Sequence, residues 1–414
     1  MSAAADTAPA SLPSSGSLDA GGIMVRAAYY AFVLWIPIET IDLFGLGTDS
    51  KVINFSRLLG LLLFLLAVME RRRCFRTIPA AFWPVAWYIS AYSASQLWVP
   101  RELDQLFVSK QVILIYGAVI FLISANLLAD ARFRGRVLRF YGWWASLVAV
   151  GMLLGVFGDV YRGEEGRDSI FGQDPNVAAG FYASGAICIA GDPGLFAPKG
   201  RFVRCLAALL AIVGLIIAII QTGSRGGLAV FVAGIVGLAV CGGRATRTKR
   251  VWIAVAALGA LTVLIVREFQ NNTIAAGRLM NAWTLGDTAG RGEIYDESWR
   301  MFLERPLLGY GGANNVAALG ITLKNVSGGI FYRDTHNLAL AVLTEVGLVG
   351  AVPFLAAILC ILWMAWRYGR RTGDAVPFAL MCAQIVINSS LTGANQNLFW
   401  IVLAAAVACG ADQT

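Results

Sequence analysis

Histidine is almost absent: the 414 residues contain one, His336. A single histidine cannot build a zinc site alone, and no Cys/His group has metal-ligand spacing. Charge is scarce too. Asp, Glu, Lys and Arg make up 14% of the chain, against about a quarter in soluble domains, so an ordinary soluble globular class is excluded. The seven cysteines are an odd number. Six lie in or at the ends of apolar runs and Cys74 lies in a basic loop, so no disulfide framework is implied. No internal repeat with a period of about 20–50 residues and no coiled-coil heptad is present. A cleavable secretory signal is not expected either. The first twenty residues are small and polar, the composition of a disordered tail.

What the chain has instead is apolar length. It is 58% hydrophobic, with mean hydropathy +0.68, and the runs are long enough to cross a bilayer. Spans are expected at 24–45, 52–69, 80–99, 108–129, 140–158, 174–191, 203–221, 226–241, 251–267, 346–366, 375–391 and 397–411. Ser, Gln and Asn interrupt the third and the eleventh. The expected class is an all-α integral membrane protein with about twelve transmembrane helices. A 1–22 disordered cytoplasmic tail precedes helices one to nine over 23–267, a loop region over 268–345 and helices ten to twelve over 346–414.

Charge asymmetry orients this topology. With both termini in the cytoplasm, the inner loops 70–79, 130–139, 192–204, 242–250 and 367–374 carry 18 of the 33 basic residues, Arg71–Arg73, Arg132–Arg139 and Arg370–Arg371 among them. The short outer connections and adjoining helix ends carry seven: Lys51, Arg57, Arg101, Lys110, Arg162, Arg167 and Arg225. That bias follows the positive-inside rule. The net charge of +8 is therefore mostly a topology signal and does not indicate nucleic-acid binding.

One connection is unlike the rest. Residues 268–335 form an outer loop between the ninth and tenth spans, with acids and bases nearly balanced, as in a folded, water-facing element. Within it, AGRGEIYDESWRMFLERPLLGYG (289–311) predicts a short helix. Arg291, Tyr295, Trp299 and Phe302 share one face, Pro306 ends the helix, and Gly309, Gly311 and Gly312 make a tight turn. A second helix begins near His336, with Asp334 or Thr335 as its N-cap. It is expected to lie at the interface before the chain dives at Gly347.

Three outer features could carry chemistry. The first is the turn QTGSRGGLAV (221–230), with Arg225 at its tip. Arg225 either snorkels to headgroups or uses its guanidinium fork on phosphate oxygens, where the glycines allow close approach. The second is Arg291, either paired with Glu293 or Asp287 or available to an anion. The third is His336, either a plain interfacial histidine or a proton acceptor kept neutral by the positive end of its helix, with Asp334 or a backbone carbonyl fixing its tautomer. Arg267, at the end of the ninth span, is a further candidate cation. Weaker signals are GYGGANN (309–315), a glycine loop with no strand before it, Glu39 and Asp42 near the end of the first span, and the charged loop with Arg162, Glu164, Glu165, Arg167 and Asp168. Gly151 and Gly155 have the spacing of packing glycines.

In order and spacing these features resemble the O-antigen ligase and polymerase family. The shared pattern is a Ser-Arg-Gly turn between two central helices, a loop helix of the form R…W…P…G.G, and an HN motif followed by a glutamate and small residues, here His336, Asn337, Glu345, Gly347 and Gly350. The likeness covers roughly 205–366; the first 200 residues match only as apolar spans. It implies a membrane glycosyltransferase similar to the GT-C type, which moves a glycan from undecaprenyl pyrophosphate to a hydroxyl on the periplasmic face of the bacterial inner membrane. It implies inverting, metal-independent transfer without a cofactor. Arg225 and Arg291 take the place of the pyrophosphate-binding arginines and His336 that of the catalytic histidine; Arg267, Asn337, Tyr295 and Trp299 are expected substrate contacts. The partners implied are the lipid-linked donor, a lipid A-core acceptor and membrane lipids, with no nucleic acid and a monomeric state. Ligation to lipid A-core is the leading reading. Polymerisation of lipid-linked repeats, using the same donor, is the close alternative. A lipid-linked glycan transporter is the alternative of another class, although no symmetric pair of broken helices supports it.

Overall fold

The computed structural model describes residues 20–39, 55–97, 103–156, 161–162, 168–169, 173–196, 201–241, 244–271, 276–277, 280–281, 284, 290–327 and 329–411. Asp42, Glu164, Glu165, Arg167 and Asp287 lie outside them. The chain is an all-α membrane-embedded bundle: α1 Ala20–Trp35, α2 Phe55–Met69, α3 Arg71–Cys74, α4 Phe82–Ala94, α5 Asp104–Leu127, α6 Ala131–Leu153, α7 Pro175–Ala190, α8 Arg201–Gln221, α9 Arg225–Cys241, α10 Arg244–Gln270, α11 Arg291–Glu304, α12 Asn314–Thr322, α13 Leu338–Thr372, α14 Val376–Asn388 and α15 Asn397–Ala411. Two minimal antiparallel hairpins complete it, Tyr161–Arg162 with Asp168–Ser169 and Val326–Ser327 with Ile330–Phe331. Among the described residues, Ala20–Ile38, Asp104–Leu127, Phe202–Gln221, Arg250–Gln270 and Leu338–Thr372 are long and apolar enough to cross a membrane. Shorter apolar helices pack among them.

α7 is the centre of the bundle. Asp174 caps it, accepting from the Asn176 backbone N–H at 2.7 Å, and Pro175 occupies its first turn. Every residue from Ala178 to Ala190 is buried. Its small side chains let α6, α8, α9 and α14 pack closely on it, as membrane helices do in the absence of a water-driven hydrophobic term. Large apolar residues such as Leu61, Trp83, Trp252, Leu359 and Trp363 point outward.

Several details differ from the expected spans. Ala20 to Gly22, placed in the tail, already belong to α1. The basic stretches expected as loops are largely helical: Arg71–Arg73 form α3, and Arg132–Arg139 open α6 behind the N-cap Asp130. Arginine is a good helix former, so helices run on past their apolar segments. Arg134 is fully buried, donating to the Leu128 carbonyl at 2.8 Å and to the Tyr368 hydroxyl at 2.6 Å. Gly155 is not a packing glycine. It follows the end of α6 with φ +67° and open space around it. Lys110, expected at an outer edge, lies inside α5 in a buried ion pair.

The loop region is more ordered than expected. α11 ends at Glu304, before Pro306, and Gly309 and Gly311 adopt positive φ in the turn that follows. α12, within and beyond the GYGGANN stretch, was not foreseen. α13 is broken at Gly347 (φ 59°, ψ −166°), where the chain was expected to change direction. The N–H groups of Tyr310 and Gly311 donate to the carbonyls of Thr344 (2.7 Å) and Glu345 (2.9 Å), and those of Leu348 and Val349 donate to Pro306 (2.8 Å) and Leu307 (3.2 Å). Thus the 306–311 turn satisfies the backbone groups that the break exposes.

Candidate functional site

The starts of α7, α9 and α13 meet the end of α14 and one face of α11 at one end of the bundle. Each helix contributes a terminus, so backbone groups and short polar side chains gather there. The Ser224 hydroxyl donates to Asn176 Oδ1 at 2.9 Å and accepts from the Gly227 N–H at 3.0 Å, which fixes the turn bearing Arg225 against α7. Gly226 closes on α14: a Cβ there would lie 3.1 Å from Ser390 Oγ.

His336 lies on the same strip. Its φ of +48° is in the left-handed region, uncommon for a residue with a side chain. Local bonds impose it. Asp334 Oδ1 accepts from the His336 N–H at 3.3 Å and from the Thr392 hydroxyl at 2.9 Å. The Tyr295 hydroxyl bridges the carbonyls of His336 (3.3 Å) and Ser389 (2.9 Å). Asn337 is the true N-cap of α13, in place of the expected Asp334 or Thr335. Its Oδ1 accepts from the Leu340 N–H at 3.1 Å and its Nδ2 donates to Ser389 at 3.4 Å. The backbone explains the change, because only Asn337 has the extended conformation (φ −153°, ψ 118°) next to the first helical residue.

The electrostatics are asymmetric. Burial is the largest influence on the His336 ring and holds its pKa below the ordinary 6.5; Asp334 pulls it up, Arg291 and Arg333 push it down, and Asp174 pulls it up. Burial also raises the Tyr295 phenol, against the opposing charge of Arg291. Arg291 is therefore close enough to act on both rings through its charge, and among the described residues it forms no ion pair. The His336 imidazole, Arg291 and the Arg225 turn thus occupy one end of the bundle.

Not every candidate residue is brought into this cluster. Trp299 is exposed and its ring meets Phe302 at 5.1 Å; the buried face of α11 is Ile294, Ser298 and Met301, with Phe302 beside them. Arg267 is exposed on the last turn of α10, with no contact to the His336 cluster among the described residues. Glu39, a weak candidate, accepts from Asn397 Nδ2 at 3.0 Å. Among the described residues no three His, Cys, Asp or Glu side chains converge to hold a metal ion. Conversely, Asp174, Asn176, Ser389, Ser390 and Thr392 belong to the cluster and were not singled out. Gln173 is buried beside them, and its amide has no hydrogen-bond partner among the described residues. The Asp-Pro-Asn string signals a helix start; only the tertiary fold brings it to His336.

An apolar groove of about 280 Å³ adjoins this end. It begins at Asn337 and Ser389 and continues along Leu355, Leu359, Met381, Ile385, Phe399 and Leu403, between α13, α14 and α15.

A comparison with curated proteins finds no match. Residues 210–355 match the family model described as O-antigen ligase. This segment contains Arg225, Arg291 and His336 together, so all three lie in the part of the chain that is similar to the O-antigen ligase family.

Proposed function

We propose that the protein is an O-antigen ligase of the bacterial inner membrane, transferring a glycan from undecaprenyl pyrophosphate to a sugar hydroxyl of lipid A-core on the periplasmic face. The observation that carries this reading is the convergence of the Arg225 turn, Arg291 and a half-buried His336 on the Ser389–Ser390 end of α14. The basic helix ends Arg71–Arg73, Arg132–Arg139 and Arg370–Arg371 support a cytoplasmic position for both termini. The helical architecture is in keeping with a glycosyltransferase of the GT-C type.

The proposed step balances simply. His336 takes the proton of the acceptor hydroxyl, and that oxygen attacks the anomeric carbon from the face opposite the pyrophosphate. The bond from carbon to pyrophosphate oxygen breaks, and its electron pair leaves with undecaprenyl pyrophosphate. The configuration inverts. A positioned base contributes about 10²–10⁴-fold. The leaving group gains negative charge, and guanidinium forks at Arg225 and Arg291 meet it. In this reading arginines serve the purpose a divalent metal serves elsewhere. The groove from Asn337 and Ser389 suits the polyisoprenyl tail, which needs an apolar path beginning at the pyrophosphate. Asn337 and Tyr295 hold the His336 segment, while Trp299 and Arg267 contribute at most from outside the cluster.

Material from cells lacking the protein tests ligation against polymerisation. Accumulated lipid-linked polymer with bare lipid A-core supports a ligase. Lipid A-core carrying single repeats overturns it in favour of a polymerase.

A further inference from the structure

The break at Gly347 leaves the first nine residues of α13, with His336 just ahead of them, as a separate half-helix. A half-helix on a hinge places its N-terminus only as well as both of its ends are held. The head is held on α14 by Asp334, Asn337 and Tyr295. The foot carries Glu345, whose side chain is fully buried. Glu345 accepts from the Tyr88 hydroxyl of α4 at 2.9 Å and pairs with the ammonium of Lys110 on α5. Lys110 also lies over the Tyr92 ring, 5.7 Å from its centroid. α4 holds the second half-helix as well: Trp87 Nε1 donates to the Val349 carbonyl at 2.8 Å, and the Tyr88 ring packs on Phe354 at 4.8 Å.

We infer that Glu345, Lys110 and Tyr88 form a positioning clamp that fixes the first half of α13 across its break and so sets the place of His336. A purely apolar foot would bury as well without the desolvation of two charges. A buried pair offers one orientation, because moving either partner strands the other unpaired. Apolar contacts could slide by a fraction of a turn without such a penalty. Glu345 lies seven residues, about two helical turns, beyond Leu338, where the helix begins after His336, so it acts through the backbone and touches no substrate. The inference rests on the proposed role of His336 for its consequence in catalysis, but its geometric content can be read separately.

The lone histidine makes that reading direct. Full-length protein labelled with ¹⁵N-histidine in nanodiscs gives the imidazole signals of His336 alone. In Glu345→Gln and Tyr88→Phe these signals are expected to shift and broaden or split, with kcat lowered by about ten- to a hundredfold and the KM for donor within about twofold. Wild-type His336 signals in folded Glu345→Gln overturn the clamp, whatever the activity. If that variant does not fold, the same criterion applied to Tyr88→Phe decides, since it removes one hydrogen bond and leaves both charges paired. Failure of His336 as the base would show differently, as retained transfer in His336→Ala.

Discussion

The Tyr295 hydroxyl stands 3.3 Å from the His336 carbonyl oxygen and 2.9 Å from that of Ser389, so one side chain of α11 ties the start of α13 to the end of α14. Tyr295→Phe removes the tie and little else. A hydrogen bond of this kind contributes about 0.5–1.5 kcal/mol. The variant should lose roughly three- to tenfold in kcat, with its melting temperature nearly unchanged. Steady-state transfer kinetics and a thermal shift measurement in detergent check both halves.

The pH dependence follows from the environment of His336. A general base must be neutral, so transfer should fall as pH drops through a value below the ordinary 6.5, where burial holds the ring. Arg333 pushes that value down and Asp334 pulls it up. Arg333→Gln should therefore move the acidic limb to higher pH, and Asp334→Asn should move it to lower pH. The profile of kcat/KM, recorded for both variants, reports the two directions.

Arg225→Lys keeps the charge and loses the bidentate fork. If Arg225 meets the pyrophosphate, transfer should drop by about 10²-fold, whereas a snorkelling role would leave it unchanged. Single-turnover rates at saturating donor separate these outcomes.

Gly347→Ala addresses the break itself. The position has φ +59°, and a Cβ there would lie 2.3 Å from the Leu307 carbonyl carbon. With ψ −166° this is a backbone region essentially reserved for glycine, which costs a residue with a side chain about 1–3 kcal/mol, and the collision adds to it. A clear fall in melting temperature is expected.

Much of this was legible from the chain. The apolar helices, the Arg225 turn, the end of α11 before Pro306 and the special backbone at Gly347 each follow from local signals: apolar length, glycine and proline. What was not legible is what depends on distance in sequence. Nothing in a sequence pairs Lys110 with Glu345, or brings Asp174 and Ser389 beside His336, because those contacts are set by which helices neighbour one another. The buried face of α11 was not legible for a related reason. Arg291, Tyr295 and Trp299 share one face, but the neighbouring face bearing Ile294, Ser298 and Met301 meets the core. α12 was missed because Asn, Val, Gly, Ile and Thr are weak helix formers and outweigh its two Ala and one Leu.

The most direct test uses purified protein with a polyprenyl-pyrophosphate-linked glycan, lipid A-core and EDTA, comparing the unaltered chain with His336→Ala. The expected result is transfer by the former, with the glycan linked to lipid A-core, and loss by at least about 10²-fold in the variant while donor binding survives. Transfer by His336→Ala near the wild-type rate, or no transfer by either protein until a divalent metal is supplied, contradicts a metal-independent ligase that uses His336 as its base.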